Sequence, residues 1–221
     1  MEFLTEKHDF DNAFELAKRD IDFTKAFPQQ LFLKNQKYFS FITFDDIHST
    51  DFFNFLCSFC KSISENSFMY MVTDPGPEYY FYKSKIKNPK VEKYKALICS
   101  VNDDEKMFLN ALNAHSGGTP PDSMMDVSDI IVVSSINQKW HIVADREAGI
   151  SVCAIYDLES YNKFIDCFGK FLLGDVQIAA EFAYGKTRWG RKPDFEKISE
   201  FLKNYSNRNN QCELDDFYNF Q

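Results

Sequence analysis

Asp129-Ile-Ile-Val-Val-Ser-Ser135, Lys139-Trp-His-Ile-Val-Ala-Asp-Arg-Glu147 and Gly149-Ile-Ser-Val-Cys-Ala-Ile155 follow one another with only short polar breaks between them. Each is a β-branched run of strand length, and the breaks are too short for anything but hairpin turns, so the stretch predicts an antiparallel meander. Trp140 opens its central strand, and Asp145-Arg146-Glu147 forms the turn that leaves it.

Working outward, Tyr38–Phe44, Ser67–Thr73 and Lys95–Val101 have the same strand-like composition. Asp74-Pro-Gly-Pro77 ends the second of these with a strong turn signal, and Glu78–Tyr82 is expected to resume as strand. Apolar residues at helical spacing predict helices over Asp9–Phe23, Asp51–Ser62 with a Ser49 or Thr50 cap, Asp103–Leu112, Leu158–Leu173, Asp175–Tyr184 and Asp194–Tyr205. No composition break divides the chain. The expectation is a single α+β domain over residues 1–221, with an antiparallel or mixed sheet ending in the three-strand meander. Helices pack on that sheet, and residues 158–221 form a mainly helical C-terminal portion.

A chain of 221 residues with 24 Phe among 17% aromatics can bury a large core, and disorder is excluded. The net charge of −8 argues against a general nucleic-acid binder, which needs a basic face, and suits a basic partner. Asp103, Asp104, Glu105, Asp122, Asp126 and Asp129 are opposed over Val101–Asp129 only by Lys106. Such a run is either a solvated loop and helix start or part of an acidic docking surface. No leader and no apolar run of spanning length is seen, so a cytoplasmic protein without a membrane partner is expected.

The chemistry-bearing residue types form no established motif. Cys57 and Cys60 make a C-x-x-C, but it sits late in a predicted helix instead of at a strand-to-helix junction, so both read as small buried hydrophobes. Four histidines are scattered over different elements, and no cofactor or metal site is assigned. Lys186, Arg188, Trp189, Arg191 and Lys192 form a basic patch that reads as an interhelical linker or, less economically, as a single-strand nucleic-acid contact. Asp145 and Glu147 are the one pair that could supply a general acid and base, for a small carboxylate-dependent hydrolase. Arg146 between them is expected to lower their pKa values, which disfavours that role.

The succession of apolar strand, Ser134-Ser135, polar turn, Trp140, aliphatic strand, Asp145-Arg146-Glu147 and second aliphatic strand resembles the C-terminal signature of small bacterial immunity proteins. These protect against polymorphic or contact-dependent toxins. The resemblance covers about 30 of the 221 residues. His141 stands where an aromatic or aliphatic residue is expected, and Ala144 where glycine is frequent. The resemblance implies a cofactor-free inhibitor that covers a cognate, basic protein toxin, for instance a nuclease. The partner-binding residues expected on that reading are Asp103, Asp104, Glu105, Asp122, Asp126, Trp140 and Glu147, with Trp140 or Trp189 as a buried anchor. The same signature also allows Trp140 and Arg146 to be architectural.

Overall fold

A computed structural model describes residues 1–34, 38–79, 93–114, 123–185 and 192–206. Among them, seven strands form one sheet: β1 (Glu2–Phe3), β2 (Tyr38–Thr43), β3 (Ser67–Asp74), β4 (Ala96–Ser100), β5 (Ile130–Ser135), β6 (Trp140–Asp145) and β7 (Ile150–Ile155). The order across the sheet is β1-β4-β3-β5-β6-β7-β2, and every neighbouring pair is antiparallel. The fold is α+β, and the expected meander is β5-β6-β7, with β3 and β2 flanking it.

The helices are α1 (Lys7–Lys18), α2 (Thr50–Ser62), α3 (Glu105–Leu112), α4 (Met124–Val127), α5 (Leu158–Phe168), α6 (Val176–Ala180) and α7 (Phe195–Tyr205). They cover both faces of the sheet. Ile131, Val133, Trp140, Ile142 and Cys153 point into a core made with α2, α3 and α5, whereas Val132, Val143, Val152 and Ala154 point into a second core made with α1, α6 and α7. Because successive side chains alternate between two buried faces, the strands read as unbroken apolar runs and not as an apolar–polar alternation. The C-terminal helices therefore part company: α5 packs on one face, α6 and α7 on the other. Between them, Leu173 N–H donates to Phe41 O on the outer edge of β2 (2.9 Å), so the crossing segment covers an otherwise exposed strand edge.

Two element boundaries differ from the sequence expectation. The first helix ends at Lys18 instead of running to Phe23, because Asp20 turns inward to a buried partner and Ile21 bridges Phe32. Residues 77–79 are helical and do not resume β3, while 80–82 lie outside the described residues. The predicted α2 is capped as expected by Ser49, whose hydroxyl accepts Phe52 N–H (3.0 Å). It closes with Ser64 at φ 59°, where Glu65 N–H reaches Cys60 O (2.8 Å) and Ser64 N–H reaches Lys61 O (3.1 Å), a Schellman ending. Cys57 and Cys60 are both buried free thiols inside this helix, and burial raises their pKa values, that of Cys57 to about 11.

Candidate functional site

The β6–β7 hairpin forms the wall of a cleft of about 770 Å³. β6 ends at Asp145, which pairs with Ile150, so residues 146–149 make a four-residue connection. Asp145 Oδ1 accepts the backbone N–H of Glu147 (2.8 Å) and of Ala148 (3.1 Å), and Gly149 takes the positive φ (71°) that lets its N–H return to Asp145 O (2.8 Å). This local network is why an Asp four positions before a Gly ends the strand here.

Opposite the hairpin stand the segment after α1, with Asp22, Phe23, Lys25 and Phe27, and the ends of β3 and β5, with Asp74, Asp129 and Ile130. The floor is apolar, with Ile21, Phe14 and Val143, and the lining carries five carboxylates (Asp22, Asp74, Asp129, Asp145, Glu147) against Lys25 and Arg146. Both cations have partners within the fold. Lys25 pairs with Asp22 at 3.2 Å. Arg146 Nε–H donates to Ser128 O (2.5 Å) and its Nη2 to Met125 O (3.0 Å), with the guanidinium 5.1 Å from the Phe44 ring centroid and Asp129 at 3.7 Å. Arg146 thus ties the hairpin to the α4–β5 junction, an architectural task.

Asp145 is 7% exposed, and its pKa is raised. Burial is the main cause; the hydrogen bonds from Ala148 and Glu147 oppose it, while the charges of Glu147 and Asp129 add to it. The sequence expectation that Arg146 would lower this carboxylate is therefore corrected: the guanidinium is committed to carbonyls. His48, beside Arg146, is pushed down to about 4, first by burial and then by the arginine charge.

The partner-binding residues expected from sequence do not form one patch. Strand register separates them. Asp103, Asp104 and Glu105 follow β4, whose Ser100 lies beside Ser67, at the end of the sheet where β6 begins. Asp126 and Glu147 lie at the opposite end, beside the start of β5 and the end of β6, five residues or about 17 Å along the strands. At the first end the carboxylates are used internally. Asp103 pairs with the N-terminal ammonium (2.8 Å), Asp104 caps α3 by accepting Lys106 N–H, and Glu105 accepts Asn54 Nδ2–H. Asp126 accepts the Ser123 hydroxyl (2.6 Å). Glu147 is exposed on the cleft rim. Asp122 and the basic patch residues Lys186, Arg188, Trp189 and Arg191 lie outside the described residues.

Trp140, one of the two anchors expected for a partner, faces the core and takes the architectural role that the sequence also allowed. It is 1% exposed, packed edge-on against Phe59 (5.8 Å, 64°), and its Nε1–H donates to Glu65 Oε2 (3.0 Å). The same Glu65 accepts the Ser135 hydroxyl through Oε1 (2.6 Å). On the other face of the same hairpin runs a chain that sequence reading missed. Ser134 Oγ lies 2.9 Å from His141 Nδ1, and His141 Nε2 lies 3.0 Å from Asp20 Oδ2, with Lys34 Nζ 2.6 Å from Asp20 Oδ1. Burial alone would raise Asp20, but the hydrogen bonds from His141, Lys34 and Tyr156 prevail and hold it down at about 2. The ionised carboxylate can only accept, so His141 Nε2 carries the hydrogen.

Serine, histidine and aspartate in series have the composition of a hydrolytic triad, but all three are buried and Ser134 is 2% exposed, leaving no approach for a substrate to its hydroxyl. The chain is a polar tie between β5, β6 and the post-α1 segment. The cleft, by contrast, is accessible, acidic and floored by apolar side chains. Among the described residues no three His, Cys, Asp or Glu side chains converge as a metal-ligand set, and no helix is long and apolar enough to cross a membrane. No family model, curated protein or solved structure matches this chain.

Proposed function

We propose that this chain is an inhibitory binding protein of the bacterial immunity type, which neutralises a cognate basic protein toxin in the cytoplasm by direct binding and occlusion, with no cofactor. The observation that carries this reading is the cleft: a rigid sheet end presents a carboxylate-rich rim over an apolar floor, while the cations beside it are tied to partners in the fold. Such a surface attracts a basic partner and repels phosphate. A toxin that handles nucleic acid needs a basic active site and is therefore a fitting target, with association accelerated at low salt. The test is capture of the partner at low and high salt, followed by expression of that partner with and without this protein. Toxicity relieved only by co-expression is the expected result. A captured partner that is harmless alone, or no stoichiometric partner when the toxin candidate is expressed, overturns the reading.

The carboxylate-hydrolase alternative keeps one observation in its favour, the raised pKa of Asp145 in an accessible cleft. Against it, Oδ1 of that carboxylate is held by two backbone N–H groups. Turnover that disappears in Asp145→Asn and Glu147→Gln, with folding intact, would favour the enzyme.

A further inference from the structure

The position of Asp145 within the cleft is unusual for a carboxylate. It is 7% exposed, yet both of its hydrogen bonds within the fold end on Oδ1. Among the described residues Oδ2 accepts none, and the residue lines the cleft. The two cations lining the same space have partners other than Asp145, Lys25 in Asp22 and Arg146 in the carbonyls of Met125 and Ser128 and in Asp129 at 3.7 Å. A desolvated carboxylate without a counter-cation is costly in the free protein, and an incoming cation relieves that cost. The raised pKa of Asp145 is the same imbalance seen as a proton affinity.

The geometry points to a pocket for one arginine side chain of the protein partner, its guanidinium on Asp145 Oδ2 with Asp129 alongside, and its aliphatic stem against Phe23 and Phe27. The proposal deepens the toxin-binding reading and rests on it for the identity of the occupant. Guanidinium fits better than a compact ammonium because it is planar, weakly hydrated, and both stacks on aromatic faces and donates in pairs to carboxylates. A metal ion fits worse, since no three ligating side chains converge here among the described residues. The floor supplies the apolar contact that the three-methylene stem requires, and the rim charge supplies the selectivity.

The probe is N-acetyl-arginine amide, titrated into the full chain by NMR or calorimetry, with N-acetyl-citrulline amide as its neutral isostere. Saturable millimolar binding of the arginine compound, at least tenfold weaker for citrulline and at least tenfold weaker in Asp145→Asn, is expected. Asn retains the Oδ1 acceptor of the turn, so the variant should fold, and circular dichroism checks it. Asp129→Asn, at an exposed position, is the second variant and should weaken binding about threefold. Equal binding of the two compounds, or none, overturns the proposal. The two readings separate in the partner assay. A toxin that binds Asp145→Asn as tightly as wild type removes the arginine pocket and leaves the inhibitor, whereas arginine binding by a protein with no toxic partner removes the inhibitor and leaves the pocket.

Discussion

The indole Nε1–H of Trp140 donates to Glu65 Oε2 at 3.0 Å, joining the first residue of β6 to the third residue past the end of α2. Both side chains are buried, and Glu65 takes the Ser135 hydroxyl with its other oxygen. One carboxylate therefore satisfies the only polar groups of two side chains at the β5–β6 turn. Removing a partner from such a set leaves a buried group unsatisfied.

Glu65→Ala should lower stability by about 3 kcal/mol, because the indole N–H and the Ser135 hydroxyl lose their acceptor in the core. Trp140→Phe should cost about 2 kcal/mol, and the double variant less than the sum of the two. Urea denaturation of the four proteins of the cycle measures the coupling. Strict additivity would show that the Glu65–Trp140 hydrogen bond contributes nothing.

Asp20 makes acid stability steep at its low end. Its folded pKa, about 2, lies below the ordinary 3.8, so its ionised form stabilises the fold above about pH 4, and that contribution is lost as pH falls through 2. Asp20→Asn should destabilise the protein at pH 7 by about 3 kcal/mol, since His141 and Lys34 lose a charged acceptor in a buried setting. It should also flatten the pH dependence between 4 and 2. Denaturation midpoints at pH 7, 4 and 2.5 decide it, and an unchanged slope in the variant would exclude this assignment.

His48 acts in the next window up. Its folded pKa of about 4 is below 6.5, so between these values the unfolded chain binds more protons than the folded one. Stability should therefore fall as pH drops from about 6.5 to 4, by up to about 3 kcal/mol in total. Replacing His48 by Gln removes the titration, and the variant's stability should be nearly level across that range. Melting temperature against pH for the two proteins is the measurement.

Ser64 holds φ 59° at the end of α2, a left-handed conformation that an L side chain adopts at a cost and glycine does not. Ser64→Gly should therefore stabilise the fold by about 1 kcal/mol without altering the Glu65 contacts. A destabilised variant in chemical denaturation would show that the serine side chain contributes more than its backbone strain costs.

The strands and most helix starts were legible because they are local properties. Ser49 before Thr50 and β-branched runs between short polar breaks are read within a few residues of themselves, and the observed α2, β5, β6 and β7 follow from them. The boundary of α1 was not legible, because Asp20 leaves the helix for His141, and that partner is remote in sequence. The same holds for the Ser-Ser, Trp and Asp-Arg-Glu residues of the meander. Their order suggested one functional signature, yet alternate side chains of an antiparallel strand face opposite cores. Ser135 and Trp140 therefore serve Glu65, Ser134 and His141 serve Asp20, and Arg146 serves the α4–β5 carbonyls.

By itself, the sequence determined the class of fold, the meander and the acidic balance, since composition and short-range periodicity are sufficient for each. The tertiary structure alone decided where that acidity is concentrated. Asp103 to Glu105 and Glu147 are separated by the length of the strands, while Asp22, Asp74, Asp129 and Asp145 are brought from four distant segments to one cleft. The physical reason is that burial, register and hydrogen-bond partners are properties of the packed chain. They determine which carboxylates are tied down inside the fold and which ones line the open cleft.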